Sequence, residues 1–288
     1  MLEATPSTFA FGFLGVAVAA LWLSKRPWLW GSLLLISVIL AVVSGVMNGA
    51  AIAVGLLAAA VIYAFYRVPC STRWKFILGI LMSVLTLGLF GHFFPGFQQQ
   101  TLFSDVVLSP GAYPTSLYWN FDKPLAGLLL MGWGMAPVHD QGGWKKILPT
   151  AIGLYLACAG VMIAGALALR VFRWAPHWTQ ASTLFALTNL FFVSVPEEAF
   201  FRGFVQRELS GTLERYRRGK IWSVGIASII FGLCHFQGGP GLMFAATIAG
   251  LFYGEAFRRT GRLEAAIFVH FLLNLSHFAL FSYPALQR

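Results

Sequence analysis

Apolar residues in this chain come in long unbroken runs. They show neither the alternation of a half-buried strand nor the one-sided stripe of a surface helix. The runs extend from Thr8 to Leu23, Trp28 to Met47, Gly49 to Tyr66, Trp74 to Phe94, Pro124 to Val138, Ile147 to Leu169, Ala181 to Phe204, Ile221 to Phe236, Gly241 to Phe257 and Leu263 to Tyr283. A helix that is apolar all round belongs in hydrocarbon, and crossing about 30 Å of it takes about 20 residues. The fifth run is short and holds Gly127, Gly132 and Gly134. The pattern therefore predicts an all-α, polytopic integral membrane protein with about eight to ten transmembrane helices. No Lys or Arg precedes the first run, so it lacks the basic region of a cleavable signal peptide and reads as a retained span.

Composition agrees. Hydrophobic residues make up 58% of the 288, charged ones only 10%, and the mean hydropathy is +0.74. An ordinary soluble domain carries about 25% charged residues. These values exclude a soluble domain, a disordered chain, a coiled coil and a collagen.

Charge then sets orientation. The chain has 20 basic and 10 acidic residues, a net charge of +10. With the N-terminus outside and ten crossings, one set of loops holds Lys25, Arg26, Arg67, Arg73, Lys75, Lys145, Lys146, Arg207, Arg215, Arg217, Arg218, Lys220, Arg258, Arg259 and Arg262. The opposite set holds Lys123, Arg170, Arg173 and Arg288. That bias is the positive-inside signature, and it accounts for the surplus without nucleic acid as a partner. The expectation is an integral protein of the plasma (inner) membrane, facing the lipid bilayer and a membrane-associated peptide or protein. Cys70, Cys158 and Cys234 are odd in number and far apart, which predicts no disulfide framework.

Polar groups within the spans are concentrated in the last third. Residues 1–180 are read as a scaffold of transmembrane helices and 181–288 as the working core. An ionisable side chain in a span costs about 2.5–3.5 kcal/mol on insertion scales, so each is a functional candidate. The first cluster is Pro196-Glu197-Glu198-Ala199-Phe200-Phe201-Arg202-Gly203. Glu198 and Arg202, four apart, share a helix face and can pair. Glu197 points about 100° away, lacks a cation on its own helix, and fits a general base. The bland alternative is an ion-pair cluster at a helix end. The second cluster is Phe231-Gly232-Leu233-Cys234-His235, just before the turn signal Gly238-Gly239-Pro240-Gly241. In the third, His270 and Asn274 share one face of an apolar span, and interhelical hydrogen bonding is the alternative there. His92, His139, His177, Asp105, Asp122 and Asp140 fall at span ends or in loops, where solvation is the simpler reading. His277 is read as packing or capping, and Glu255 and Glu264 as local ion pairs beside Arg258, Arg259 and Arg262.

Glu-Glu-x-x-x-Arg, then Phe-x-x-x-His, then His-x-x-x-Asn, on three spans in that order, closely resembles the CAAX prenyl protease and bacteriocin-processing (CPBP, Abi) family of intramembrane glutamic endopeptidases. The likeness covers about Leu184 to Leu280. It implies hydrolysis of a peptide bond in a membrane-associated or lipidated substrate, with 181–288 as the catalytic core. By position, Glu197 would activate water with help from His235, His270 and Asn274 would stabilise the oxyanion, and Glu198 with Arg202 would hold the glutamate helix. The resemblance implies no cofactor. His235, His270 and one glutamate also make up a possible zinc set, and buried carboxylates and histidines also line ion pathways in transporters.

One tension remains. At about 1.5 Å per residue, Glu197 and His270 lie about 12 Å from the inner ends of their spans and His235 about 21 Å. That requires the His235 helix to start late, near Val224, or to tilt.

Overall fold

The computed structural model describes residues 3–287; Arg288, counted above among the outer cations, lies outside them. Helices α1 (Pro6–Leu23), α2 (Pro27–Val43), α3 (Gly49–Arg67) and α4 (Thr72–Phe90) are followed by a hairpin of β1 (Gln100–Val106) and β2 (Thr115–Trp119). Then come α5 (Asp122–Gly134), α6 (Gln141–Leu169), α7 (Gln180–Thr188), α8 (Val195–Phe200), α9 (Arg207–Thr212), α10 (Gly219–Leu233), α11 (Gly239–Thr260) and α12 (Leu263–Leu280). The chain is a polytopic, mostly helical membrane protein. Starts are set by ordinary caps: Thr5, Asn48, Ser71 and Asp140 each accept a backbone N–H of the first turn of their helix.

Six helical runs are long and apolar enough to cross a membrane, and a seventh results if the bent pair α10–α11 is one span. This is fewer than the apolar runs alone predict, for three reasons. Helix α2 has only 17 residues. Helix α5 has 13 and is buried along Asp122–Met131, as a short core helix is. Helices α10 and α11 meet at a break and are bent by 59°. The polar connection after Phe94 is not featureless either; its Thr, Phe, Tyr and Trp residues favour the extended hairpin.

The chain divides into two compact units. One comprises the residues through Phe103, Leu117–His139 and Phe191–Pro196. Within it α1 packs on α2, where Ser37 Oγ donates to the carbonyl of Ala10 at 2.7 Å. Helix α5 packs against α3 and α4. A Cβ on Gly127 would come within 2.6 Å of Pro196, so only glycine allows α5 this close. Asp122 is 1% exposed, and both its oxygens lie 2.8 Å from Nδ1 of His92. The solvated reading of Asp122 is thus overturned: it sits at the first turn of a buried helix, where a carboxylate offsets unbonded N–H groups.

The other unit comprises Ser104–Ser116, Asp140–Leu190 and the chain from Glu197 onward. Here α11 packs on α10, α6 and α12, and α12 also packs on α6 and α7. The segment after α12 returns along 171–177 and 109–113: Ser282 N donates to Arg173 O, Leu286 N to Val171 O and Gln287 N to Gly111 O. His277 packs 4.3 Å from the ring of Phe172, as expected of a packing residue.

Candidate functional site

From Gln180 to Thr212 the chain is one helical run of 33 residues, but not a uniform one. Two π-helical stretches, Asn189–Ser194 and Phe201–Gln206, bracket the six residues of α8. Pro196 explains the first. It has no N–H for the carbonyl of Phe192, and its ring crowds that carbonyl, so the helix widens just upstream. The glutamates follow directly, in the short α-helical stretch between the two wide turns.

Glu198 is fully buried and Glu197 is 8% exposed. Glu198 Oε1 accepts from Arg202 Nη1 at 3.2 Å, the pair that the spacing predicts. The same oxygen lies 2.7 Å from Nδ1 of His270 on α12, a contact that spacing alone does not reveal. A carboxylate at this position also faces the other side of the ring: Glu197 Oε2 is 3.8 Å from His270 Nε2. The imidazole is therefore held between the two acids.

Arg202, also fully buried, is satisfied by more than its partner acid. Nη2 donates to the carbonyl of Gly250 on α11 at 2.9 Å. Its guanidinium carbon lies 4.7 Å from the ring centre of Phe231 and 5.3 Å from that of Tyr253. One turn on, Gln206 Nε2 donates to the carbonyl of Gly254 at 2.9 Å. Cβ atoms on Gly250 and Gly254 would meet Arg202 at 3.0 Å and Gln206 at 2.7 Å. The two glycines let α11 lie close enough to offer both carbonyls. Ion pair, carbonyl and rings together offset the cost of dehydrating a cation here.

Tyr253, between those glycines, stacks on His270 with ring centres 4.5 Å apart and planes 11° from parallel. Phe231 meets His270 edge-on at 5.9 Å and His235 at 4.7 Å. His235 lies in the break between α10 and the short 3-10 turn Phe236–Gly238, and is partly buried. Its Nδ1 is 2.9 Å from the carbonyl of Phe231. A carbonyl only accepts, so Nδ1 carries the hydrogen and the neutral ring keeps its lone pair on Nε2. Helix α10 begins at Gly219 rather than late, and His235 follows Phe231 by four residues, so the helical turn itself sets the imidazole beside the Phe231 ring. Asn274 lies one turn beyond His270 on α12 and is partly buried.

Tyr253, Gly250 and Gln206 carried no weight in the sequence. Gly250-x-x-x-Gly254 is the visible signal, since small residues four apart mark close helix approach in membranes. For zinc, the donor set does not form: among the described residues no group of three His, Cys, Asp or Glu side chains is arranged to hold a metal. Glu255 accepts from Arg258 and Arg259, each at 2.6 Å, as local pairing predicts.

Residues 179–276 match the family model described as Type II CAAX prenyl endopeptidase Rce1-like, whose members are intramembrane endopeptidases. The matched stretch contains Glu197, Glu198, Arg202, Phe231, His235, His270 and Asn274. No curated protein and no solved structure matches the chain.

Proposed function

We propose that this protein is an intramembrane endopeptidase of the plasma (inner) membrane, with its N-terminus outside. In this reading 181–288 is the catalytic core, 1–180 is scaffold, and the substrate is a membrane-associated or lipidated protein. Glu197 takes a proton from water, assisted by the lone pair of His235 Nε2. The hydroxide adds to the scissile carbonyl carbon, and its oxygen becomes an oxyanion that accepts from His270 and Asn274. Collapse breaks the C–N bond, and the proton held by Glu197 passes to the leaving amine. A positioned base contributes about 10²–10⁴-fold and each oxyanion donor about 2.7–4 kcal/mol.

The placement of Glu197 against His270 carries this reading. A separation of 3.8 Å is too long for a direct hydrogen bond, yet it suits two neighbouring oxygens on one tetrahedral carbon, the attacking oxygen against Glu197 and the oxyanion against His270. Both ring nitrogens of His270 are placed to act as donors. Nδ1–H then donates to Glu198 and Nε2–H is available to an oxyanion.

The test compares new peptide termini, by mass spectrometry, in membranes of matched cells carrying the wild-type protein or Glu197→Gln. Termini present only with the wild type, and absent with His235→Ala as well, are expected. Identical terminus sets with folded, inserted variants would refute proteolysis by this site.

A further inference from the structure

The turn that joins the glutamate run to α10 is more than a cluster of charge. It is a tightly folded element. Tyr216 N donates to Leu213 O, Gly219 N to Tyr216 O and Ile221 N to Arg218 O, each at 2.9 Å. The hydroxyls of Ser210 and Ser223 lie 2.6 Å apart and tie α9 to α10. A Cβ on Gly219 would collide with the carbonyl of Leu213, so the chain closes on itself there.

This fixed turn presents two kinds of side chain on its surface. Arg215, Arg217, Arg218 and Lys220 are exposed, and none forms an ion pair with a described carboxylate. Between and beside them stand Tyr216, Ile221 and Trp222, exposed by 52%, 56% and 62%. The guanidinium of Arg215 lies 5.0 Å over the Tyr216 ring. Arg258 and Arg259 differ, because both are held on Glu255 at 2.6 Å. Cations interleaved with Trp, Tyr and Ile suit the boundary between headgroups and acyl chains. A turn that joins two membrane-embedded helices lies at that level on whichever side it emerges.

We infer that the turn 213–222 is a binding surface for the headgroups of anionic phospholipids. Phosphate oxygens accept from Arg217, Arg218 and Lys220, while Tyr216, Ile221 and Trp222 enter the acyl boundary. The consequence for the rest of the molecule is mechanical. The lipid grips the end of the helical run that carries Glu197 and Glu198. The inference does not depend on the chain being a protease.

Each basic residue beside an anionic leaflet is worth about fivefold in partitioning, so losing two is expected to cost on the order of tenfold or more. The full-length protein, purified from mixed phosphatidylglycerol and phosphatidylcholine micelles, is examined by native mass spectrometry for retained lipid. Wild type is expected to retain phosphatidylglycerol preferentially, and R217Q/R218Q to lose that preference. R258Q/R259Q, which removes the same charge from the Glu255 cluster, is expected to keep it. The preference should also weaken in 1 M salt, where the Debye length falls to about 3 Å. Equal losses in both double variants would attribute the effect to overall charge and overturn the site. Unchanged retention in R217Q/R218Q, or retention abolished by inorganic phosphate or an acidic peptide but not by competing phosphatidylglycerol, would overturn it too. If R217Q/R218Q melts early in phosphatidylcholine, R217K/R218K decides: the lysine pair must keep the preference, because it keeps the charge.

Discussion

Glu198 Oε1 lies 2.7 Å from Nδ1 of His270, and the same oxygen accepts from Arg202. One carboxylate therefore orients the imidazole on α12 and neutralises the cation on its own helix. Glu198→Gln keeps an acceptor for the ring but removes the counter-charge of both. On a substrate identified from its new termini, kcat is expected to fall on the order of 10²-fold or more, with KM little changed. Near-normal kcat in the folded variant would mean that His270 needs no acid behind it.

Arg202 poses the complementary case. Removing it leaves Glu198 buried in a low-dielectric site without its cation, which costs about 3–5 kcal/mol for broken buried pairs. Arg202→Ala is expected to lower the yield of monodisperse, detergent-stable protein more than His270→Ala does, as read by size-exclusion chromatography and thermal unfolding. Equal yields would show that the pair contributes little to the fold.

Tyr253 is expected to act as a positioning residue through its ring plane. Tyr253→Phe keeps the stack on His270 and should keep kcat within about threefold, since an aromatic pair contributes only about 0.5–1.5 kcal/mol beyond its burial. Tyr253→Leu fills similar space without a plane to hold the imidazole; kcat should drop about tenfold while KM holds. Parallel loss in both variants would point instead to the hydroxyl.

Gly250→Ala tests the contact between α11 and the glutamate run. The added methyl would stand 3.0 Å from Arg202 Nη2 and 3.2 Å from Phe231. Overpacking of this kind typically costs about 1–3 kcal/mol, and the displaced guanidinium should reduce activity as well. A variant with unaltered melting temperature and turnover would show that the helices can part freely there.

Sequence spacing carried the Glu198–Arg202 pair because four residues on a helix always share a face. It also carried the grouping of Glu197 with the His270 helix, through motif order. It could not carry the Glu198–His270 contact, which depends on how two distant helices dock, nor Tyr253, whose role arises only from the proximity that Gly250 and Gly254 permit. Helix α5 misled for a related reason. A run apolar on all sides looks alike whether lipid or protein surrounds it, and only its 13-residue length marked it as a core element. The break at His235 was signalled by the glycines that follow it, but the 59° bend needed coordinates.

The wide turns at Asn189–Ser194 and Phe201–Gln206 give the helix a phase that its residue order does not display. A π turn holds one more residue than an α turn, and one residue corresponds to about 100° of rotation. Deleting a single apolar residue from Asn189–Ser194 would leave every acid and imidazole in place along the chain. Tightening the wide turn to an ordinary one takes up that loss with little net rotation, so Glu197 and Glu198 still face α12, whereas the same deletion within α7, which has no wide turn to take it up, would swing them away.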